Sequence, residues 1–124
     1  MSFERPETLL QVARLWSQGQ PESVLKDFYH AFSADPRRDR LEEEPDLAGV
    51  GQRQLMEAYL QAVAVYLSRG KGWSPPAWTE QIIRAPQPYF ASEGRAMRNL
   101  LLHQSPAPFR ERNIFITPDA VGAV

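Results

Sequence analysis

The chain of 124 residues contains no cysteine. Disulfide bonds, thiol catalysis and cysteine-ligated zinc are therefore excluded, and the composition is compatible with a reducing compartment. Only two histidines are present, His30 and His103, and neither stands in an HxxxH or ExxH pair with the spacing of metal ligands. We accordingly expect no bound metal ion and no cofactor.

Sequence motifs of catalytic sites are also missing. There is no G-x-S-x-G nucleophile elbow. The stretch AGVGQR has two glycines, but it lacks the upstream strand and the third glycine of a phosphate-binding loop. We therefore expect a protein that is not an enzyme.

The sequence has no long apolar run and no strong excess of one charge. No stretch approaches the roughly 20 apolar residues that a membrane-spanning helix needs. The start, MSFERPETLLQ, carries acids and a proline where a secretory signal has a basic region and an apolar core. The net charge of −1 gives no overall attraction to nucleic acid or anionic membranes. We expect a cytoplasmic protein with no membrane partner, and nucleic acid is not favoured as a partner.

What is present predicts a single, mainly α-helical domain over residues 1–124, with about five helices. The length and the 43% hydrophobic content suffice for one core. Apolar residues recur at helical spacing in two segments that begin at prolines, in a long segment from about Arg53 to Gly70, and after Ser92. A short helix from Ala77 to Arg84 fits between proline pairs. We expect the long segment to be the central helix.

Three segments do not fit a long helix. Residues 36–52 are crowded with charges and have Leu41 as their only anchor, which predicts a solvated loop. A crossover rich in proline and tryptophan follows the central helix. Residues 105–124 predict an extended tail in which NIFIT is the only plausible strand. One strand cannot form a sheet alone, so it must lie on the helices, pair with a partner or extend a neighbour's sheet.

The tail contains a pronounced motif, SPAPFRERNIFITPDAV, at residues 105–121. As a strand, it would place Phe109, Glu111, Asn113 and Phe115 on one side. Its arginines suit bidentate pairing with carboxylates or phosphates. Two interpretations stay open: the tail closes the core of its own domain, or it docks to a partner.

The succession LMEAYLQAVAVYLSRGKGWSPPAWTE, QPYF and LLLHQSPAPFRERNIFI resembles a widespread group of short bacterial proteins, over about residues 55–117. Their shared pattern is a Tyr-Leu helix, a Pro-Pro-x-Trp turn, an aromatic pair and a closing Ser-Pro-x-x-Phe-Arg-x-Arg-Asn-Ile-Phe. Genes of the group often neighbour nucleotidyltransferase-like toxin genes, so the resemblance implies an antitoxin or partner role. The chain departs from the pattern at Glu111, where a more basic residue is usual, and this weakens any phosphate-binding role.

By this resemblance, six residues are candidates for binding a partner: Trp78, Phe109, Arg110, Arg112, Asn113 and Phe115. The leading hypothesis is a non-catalytic protein-interaction module, an antitoxin-like partner of a toxin enzyme. One alternative is a DNA-binding regulator that acts as a dimer through the more basic half of the chain, where residues 65–124 carry 7 basic and 4 acidic residues. Another is a small enzyme with an aromatic pocket around Trp73, Trp78 and Tyr89. A homo-oligomer stays open.

Overall fold

The computed structural model describes residues 6–17, 23–47, 52–90 and 95–116, with the side chains of all of these except 16, 17, 23 and 95–99. Most described residues belong to helices, which confirms the mainly α fold class. The elements are α1 (Leu9–Ser17), α2 (Ser23–Ala34), α3 (Asp39–Glu42), α4 (Arg53–Gly70), a 3₁₀ turn (Ala77–Thr79), β1 (Tyr89–Phe90), α5 (Arg95–Gln104), α6 (Ala107–Arg110) and β2 (Ile114–Phe115). The predicted helix start at Ser92 lies outside the described residues.

α4 is the central helix, as the sequence predicts. It begins at Arg53, and it contacts α1, α6 and the 3₁₀ turn. Its apolar side chains are buried over most of its length, with Leu60 and Val63 fully inaccessible. The chain leaves the helix through Gly72, whose φ of 73° is a left-handed conformation that glycine adopts without steric cost.

The prediction of a solvated loop at residues 36–52 is wrong in part. The segment contains α3, and both Arg40 and Leu41 are buried. Leu41 is the anchor that the sequence predicts, but the burial of Arg40 is not predicted. Its guanidinium donates to the backbone carbonyls of Glu7, at 2.8 Å, and Asp35, at 3.0 Å. These bonds satisfy a buried arginine and tie this segment to the residues just before α1.

The helix predicted from Ala77 to Arg84 is also wrong beyond its first turn. Only Ala77–Thr79 is helical, as a 3₁₀ turn. The next residues give their backbone groups to a side chain of α4 instead of to a helix ladder: the carbonyl of Gln81 and the N–H of Ile83 both bond to Gln61. The Gln61 side chain, which has both donors and acceptors, thus takes the place of the backbone hydrogen bonds that a helix would make here.

The tail is not extended from residue 105. Ala107–Arg110 forms α6, residues 111–113 form a turn, and within the described part of the tail, up to residue 116, the strand is limited to Ile114–Phe115; the predicted tail from 117 to 124 lies outside the described residues. Pro106 precedes the helix and Pro108 lies in its first turn, where a missing N–H costs no helical bond. The predicted alternation of faces is therefore wrong, because Phe109 and Arg112 both point inward at a helical spacing of three residues.

The strand finds its partner within the same chain. β2 pairs in parallel with β1, with Tyr89 opposite Ile114 and Phe90 opposite Phe115. Parallel strands need a crossover, and α5 and α6 supply it. The pairing brings the crossover after α4 and the closing motif together on one side of α4.

Candidate functional site

One buried glutamine of α4 holds the chain that follows the 3₁₀ turn. Gln61 is only 2% exposed. Its Nε2 donates to the carbonyls of Trp78, at 3.2 Å, and Gln81, at 3.0 Å. Its Oε1 accepts the backbone N–H of Ile83 at 3.1 Å. A side-chain amide has two donor hydrogens and two acceptor lone pairs, so one acceptor position remains.

Arg112 fills that remaining position. The side chain is 2% exposed, and its Nε donates to Oε1 of Gln61 at 3.0 Å. Nη1 donates to the carbonyl of Pro108 at 3.0 Å, and Nη2 lies 3.4 Å from the carbonyl of Thr79. One guanidinium thus connects α4, α6 and the 3₁₀ turn.

The positive charge of Arg112 is held in a poorly hydrated place. Burial lowers the pKa of its guanidinium from the ordinary value. The carboxylate of Glu111, 3.8 Å away, acts in the opposite direction, and Arg69 lowers the pKa further. An arginine remains charged over the whole useful pH range. Among the described residues, Glu111 supplies the carboxylate that pairs with the buried charge.

Asn113 joins the closing motif to the strand region. Its φ of 65° is left-handed, a conformation in which asparagine is enriched among non-glycine residues. Its Nδ2 donates to the carbonyl of Ala85 at 3.2 Å, and its own carbonyl accepts the N–H of Tyr89 at 3.0 Å. The carbonyl of Arg112 accepts the N–H of Ala85 at 2.9 Å. Asn113 thus serves as a turn residue in the folded chain.

Ser105 and Phe109 also serve the fold. The hydroxyl of Ser105 accepts the backbone N–H of Ile116 at 2.8 Å, and so links the start of the motif to its end. The ring of Phe109 is inaccessible to solvent and meets Tyr59 and Tyr66 of α4 edge-on, with ring centroids 5.9 Å apart in each pair. These contacts fasten α6 to α4.

Of the six predicted binding residues, Arg110 and Phe115 are the two of the closing motif that present side-chain surface without a hydrogen bond to the described residues. Arg110 is exposed, and its guanidinium makes no hydrogen bond or ion pair with the part of the chain that the structure describes. Phe115 is half-buried and stacks on Phe90, with ring centroids 5.1 Å apart and planes 21° apart. The six predicted residues are therefore not one surface, because Phe109 and Arg112 lie in the interior.

Trp78 lies apart from the closing motif's exposed residues. Its indole N–H donates to the carbonyl of Leu41 at 2.9 Å, which fixes the ring. The three aromatic residues of the predicted enzyme pocket lie in different surroundings. Trp73 meets Phe32 edge-on at 6.0 Å, whereas Tyr89 lines a groove beside the start of α4. Trp78 and Tyr89 line two different clefts among the described residues, so these two rings do not share the lining of either one.

α5 carries exposed apolar residues on both flanks of the buried Leu101, about 160° apart around the helix axis. Among the described side chains of this helix only Leu101 is buried, while Leu100 is 40% and Leu102 is 44% exposed. His103 is exposed beside them. We call Leu100, Leu102, His103 and Arg110 the α5–α6 surface.

Gln61 is the residue that sequence reasoning missed. It lies among the apolar residues of α4, directly after the buried Leu60 and three residues before the buried Ala64. A polar residue within the apolar face of a central helix is the signal that would have found it, because a buried amide requires partners.

Neither a metal centre nor a membrane span can be drawn from the described residues. Within residues 6–17, 23–47, 52–90 and 95–116, no three histidine or acidic side chains gather as ligands, and no helix has the length and apolar character to cross a membrane. No family model, curated protein or solved structure matches the chain. The likeness to short bacterial proteins thus rests on the sequence motifs, and the toxin partner stays a prediction.

Proposed function

We propose that the chain is a non-catalytic protein-interaction module, an antitoxin-like partner of a bacterial toxin enzyme. The observation that carries this proposal is the contrast between two arginines of one motif. Arg112 is buried and makes its hydrogen bonds within the fold, whereas Arg110 is exposed and unpaired within the described part of the chain. The bonds of Arg112 and Asn113 hold the backbone on which Arg110 stands, and such preorganisation reduces the entropy lost on binding.

The partner's chemistry follows from this charge. A nucleotidyltransferase-like active site is acidic because carboxylates hold its metal ions, and an exposed guanidinium can pair with a carboxylate through two hydrogen bonds. Electrostatic complementarity of this kind sets specificity and association rate. The neighbouring Glu111 lies towards Arg112, at 3.8 Å, and its negative charge disfavours a phosphate ligand at the same place.

Apolar contact area comes from α5. Leu100 and Leu102 stand 40% and 44% exposed on this helix. Interfaces combine apolar side chains at the centre with arginine among the residues that contribute most to affinity. The α5–α6 surface offers both kinds of residue on elements joined by only two residues.

The proposal is tested with the tagged full-length chain, first used to isolate a partner and then titrated against that purified partner. We expect Arg110→Glu and Leu102→Asp each to weaken the complex by about tenfold or more. Lys26→Glu, the same charge reversal at an exposed residue of α2, is the control and should leave affinity unchanged. All three variants should melt within a few degrees of the parent chain.

An assay of the partner's catalytic activity tests whether the chain acts as an antitoxin. Addition of the parent chain should inhibit the partner's catalytic activity, and co-expression should relieve its toxicity. A complex that is insensitive to Arg110→Glu and Leu102→Asp, or one that leaves the partner fully active, would overturn this function.

A further inference from the structure

A small cleft lies between α4 and two loops. Its volume is about 120 Å³. One wall comes from residues 44–47, a second from the face of α4 that carries Glu57 and Leu60, and a third from the chain around Trp78. Three separate parts of the sequence therefore meet around one opening.

The buried residues at the floor of the cleft are apolar except for Gln61, and they are held in place. Leu47 and Leu60 are buried, at 3% and 0% exposure. The Trp78 indole is fixed by its bond to the carbonyl of Leu41. The neighbouring chain is held by three bonds to the Gln61 side chain. The cleft is consequently present before any ligand binds.

The two charged residues that line the cleft are both acidic. Glu44 and Glu57 are the charged residues of the lining, and no lysine or arginine lines the cleft. Glu57 pairs with Arg53 at 2.7 Å. Glu44 is exposed and has no ion pair or hydrogen bond with the described residues. A carboxylate without an internal cation thus stands beside an apolar floor and an indole ring.

Size limits the ligand. At about 30 Å³ for each water in the liquid, the cleft holds about four waters, which is close to the five heavy atoms of a lysine side chain. Sites for cofactors and drug-sized molecules occupy about 300–1,000 Å³. A nucleotide does not fit, and a single side chain does.

We propose that this cleft binds one basic side chain, a lysine or an arginine, presented by a protein partner. The aliphatic stem lies on Leu60 and beside Trp78, and the cation meets the carboxylate of Glu44 at the mouth, because Glu57 is already paired with Arg53. The inference rests on the proposed function in one respect, that the side chain belongs to a protein. It adds a second contact region of opposite charge to the α5–α6 surface.

The cleft is tested first without a partner. N-acetyl-lysine methylamide and N-acetyl-arginine methylamide are titrated into the ¹⁵N-labelled full-length chain, and the indole N–H resonance of Trp78 is followed after assignment with Trp78→Phe. We expect a saturable shift with at least one of the two probes. The neutral analogues of norleucine and citrulline should bind more weakly by about tenfold, because they lack the charge.

A matched pair of variants locates the charge. Glu44→Gln should weaken binding of the cationic probe by about fivefold or more, whereas Glu43→Gln should not, because Glu43 lies outside the lining and its charge is screened in about 0.15 M salt. Both glutamates are exposed, so both variants should keep the parent melting temperature.

Equal binding of lysine and norleucine probes, absence of any shift with both cationic probes, or equal effects of the two variants would overturn the inference. Since these probes need no partner, a negative result here leaves the test of the α5–α6 surface intact. Failure of that surface likewise leaves this titration unchanged.

Discussion

Replacement of Arg112 by alanine, compared with the same replacement of Arg110, shows which arginine of the closing motif stabilises the fold. The change removes three hydrogen bonds, to Gln61, Pro108 and Thr79. The carbonyl oxygens of Pro108 and Thr79 then lose the arginine donor in a place that solvent hardly reaches. Arg110→Ala removes a side chain of the same type that makes no bond to the described residues.

The expected loss of stability follows from opposing contributions. Hydrogen bonds to a charged group are each worth about 1.5–3 kcal/mol. Part of that gain is offset in the parent chain by the desolvation of a buried guanidinium, which costs several kcal/mol. We expect a net decrease of about 2–4 kcal/mol in the free energy of unfolding for Arg112→Ala. In a chain of this length, that corresponds to a fall of roughly 10 °C in Tm.

Urea and thermal unfolding, followed by circular dichroism, measure the difference. Arg110→Ala should change the free energy of unfolding by no more than about 0.5 kcal/mol. Arg112→Lys should recover only part of the loss, because an ammonium cannot reach three acceptors that diverge around a planar guanidinium. Equal stability of Arg110→Ala and Arg112→Ala would refute the reasoning.

Three further results are expected. Gln61→Leu leaves two carbonyls, one N–H and the guanidinium of Arg112 without their partner, so the free energy of unfolding should fall by at least about 3 kcal/mol in urea unfolding. Asn113→Gly should be more stable than Asn113→Ala by about 1 kcal/mol, because both lose the bond to Ala85 but only glycine accepts a positive φ without cost; thermal denaturation compares them. For the DNA-binding alternative, fluorescence anisotropy with a labelled duplex should show negligible binding at low salt, and tight binding that weakens steeply with salt would favour that alternative instead.

The helices could be predicted because their signals are local. The spacing of Leu9, Val12 and Ala13 fixes the buried side of α1, and the apolar run of α4 fixes its central position. The ends of helices were harder to predict. The helix predicted from Ala77 ends after one turn because Gln61, about 20 residues earlier in the chain, bonds the backbone groups that would have continued it. The residue pattern within one segment contains no information on a side chain from another part of the sequence that bonds the backbone of that segment.

The closing motif was ambiguous for a related reason. Both Arg110 and Arg112 look like surface residues in a sequence, since arginine is rarely fully buried. Only the position of Gln61 and the carbonyls around it makes one of them internal. The helical turn of α6 escaped prediction because the prolines around it suggested an irregular chain, although Pro106 and Pro108 occupy positions that a first turn tolerates.

The bonds around Gln61 and Arg112 also bear on the order in which the molecule opens. They join residues separated by 17, 20, 22, 33 and 51 positions along the chain. Loss of the closing motif would release the N–H groups of Ala85 and Tyr89 at once, and it would remove the Arg112 donor from Gln61, which holds the N–H of Ile83. Amide hydrogens of these residues and of Ile116 should therefore exchange with solvent at a common rate, as one cooperative unit, while the middle of α4 exchanges only on global unfolding.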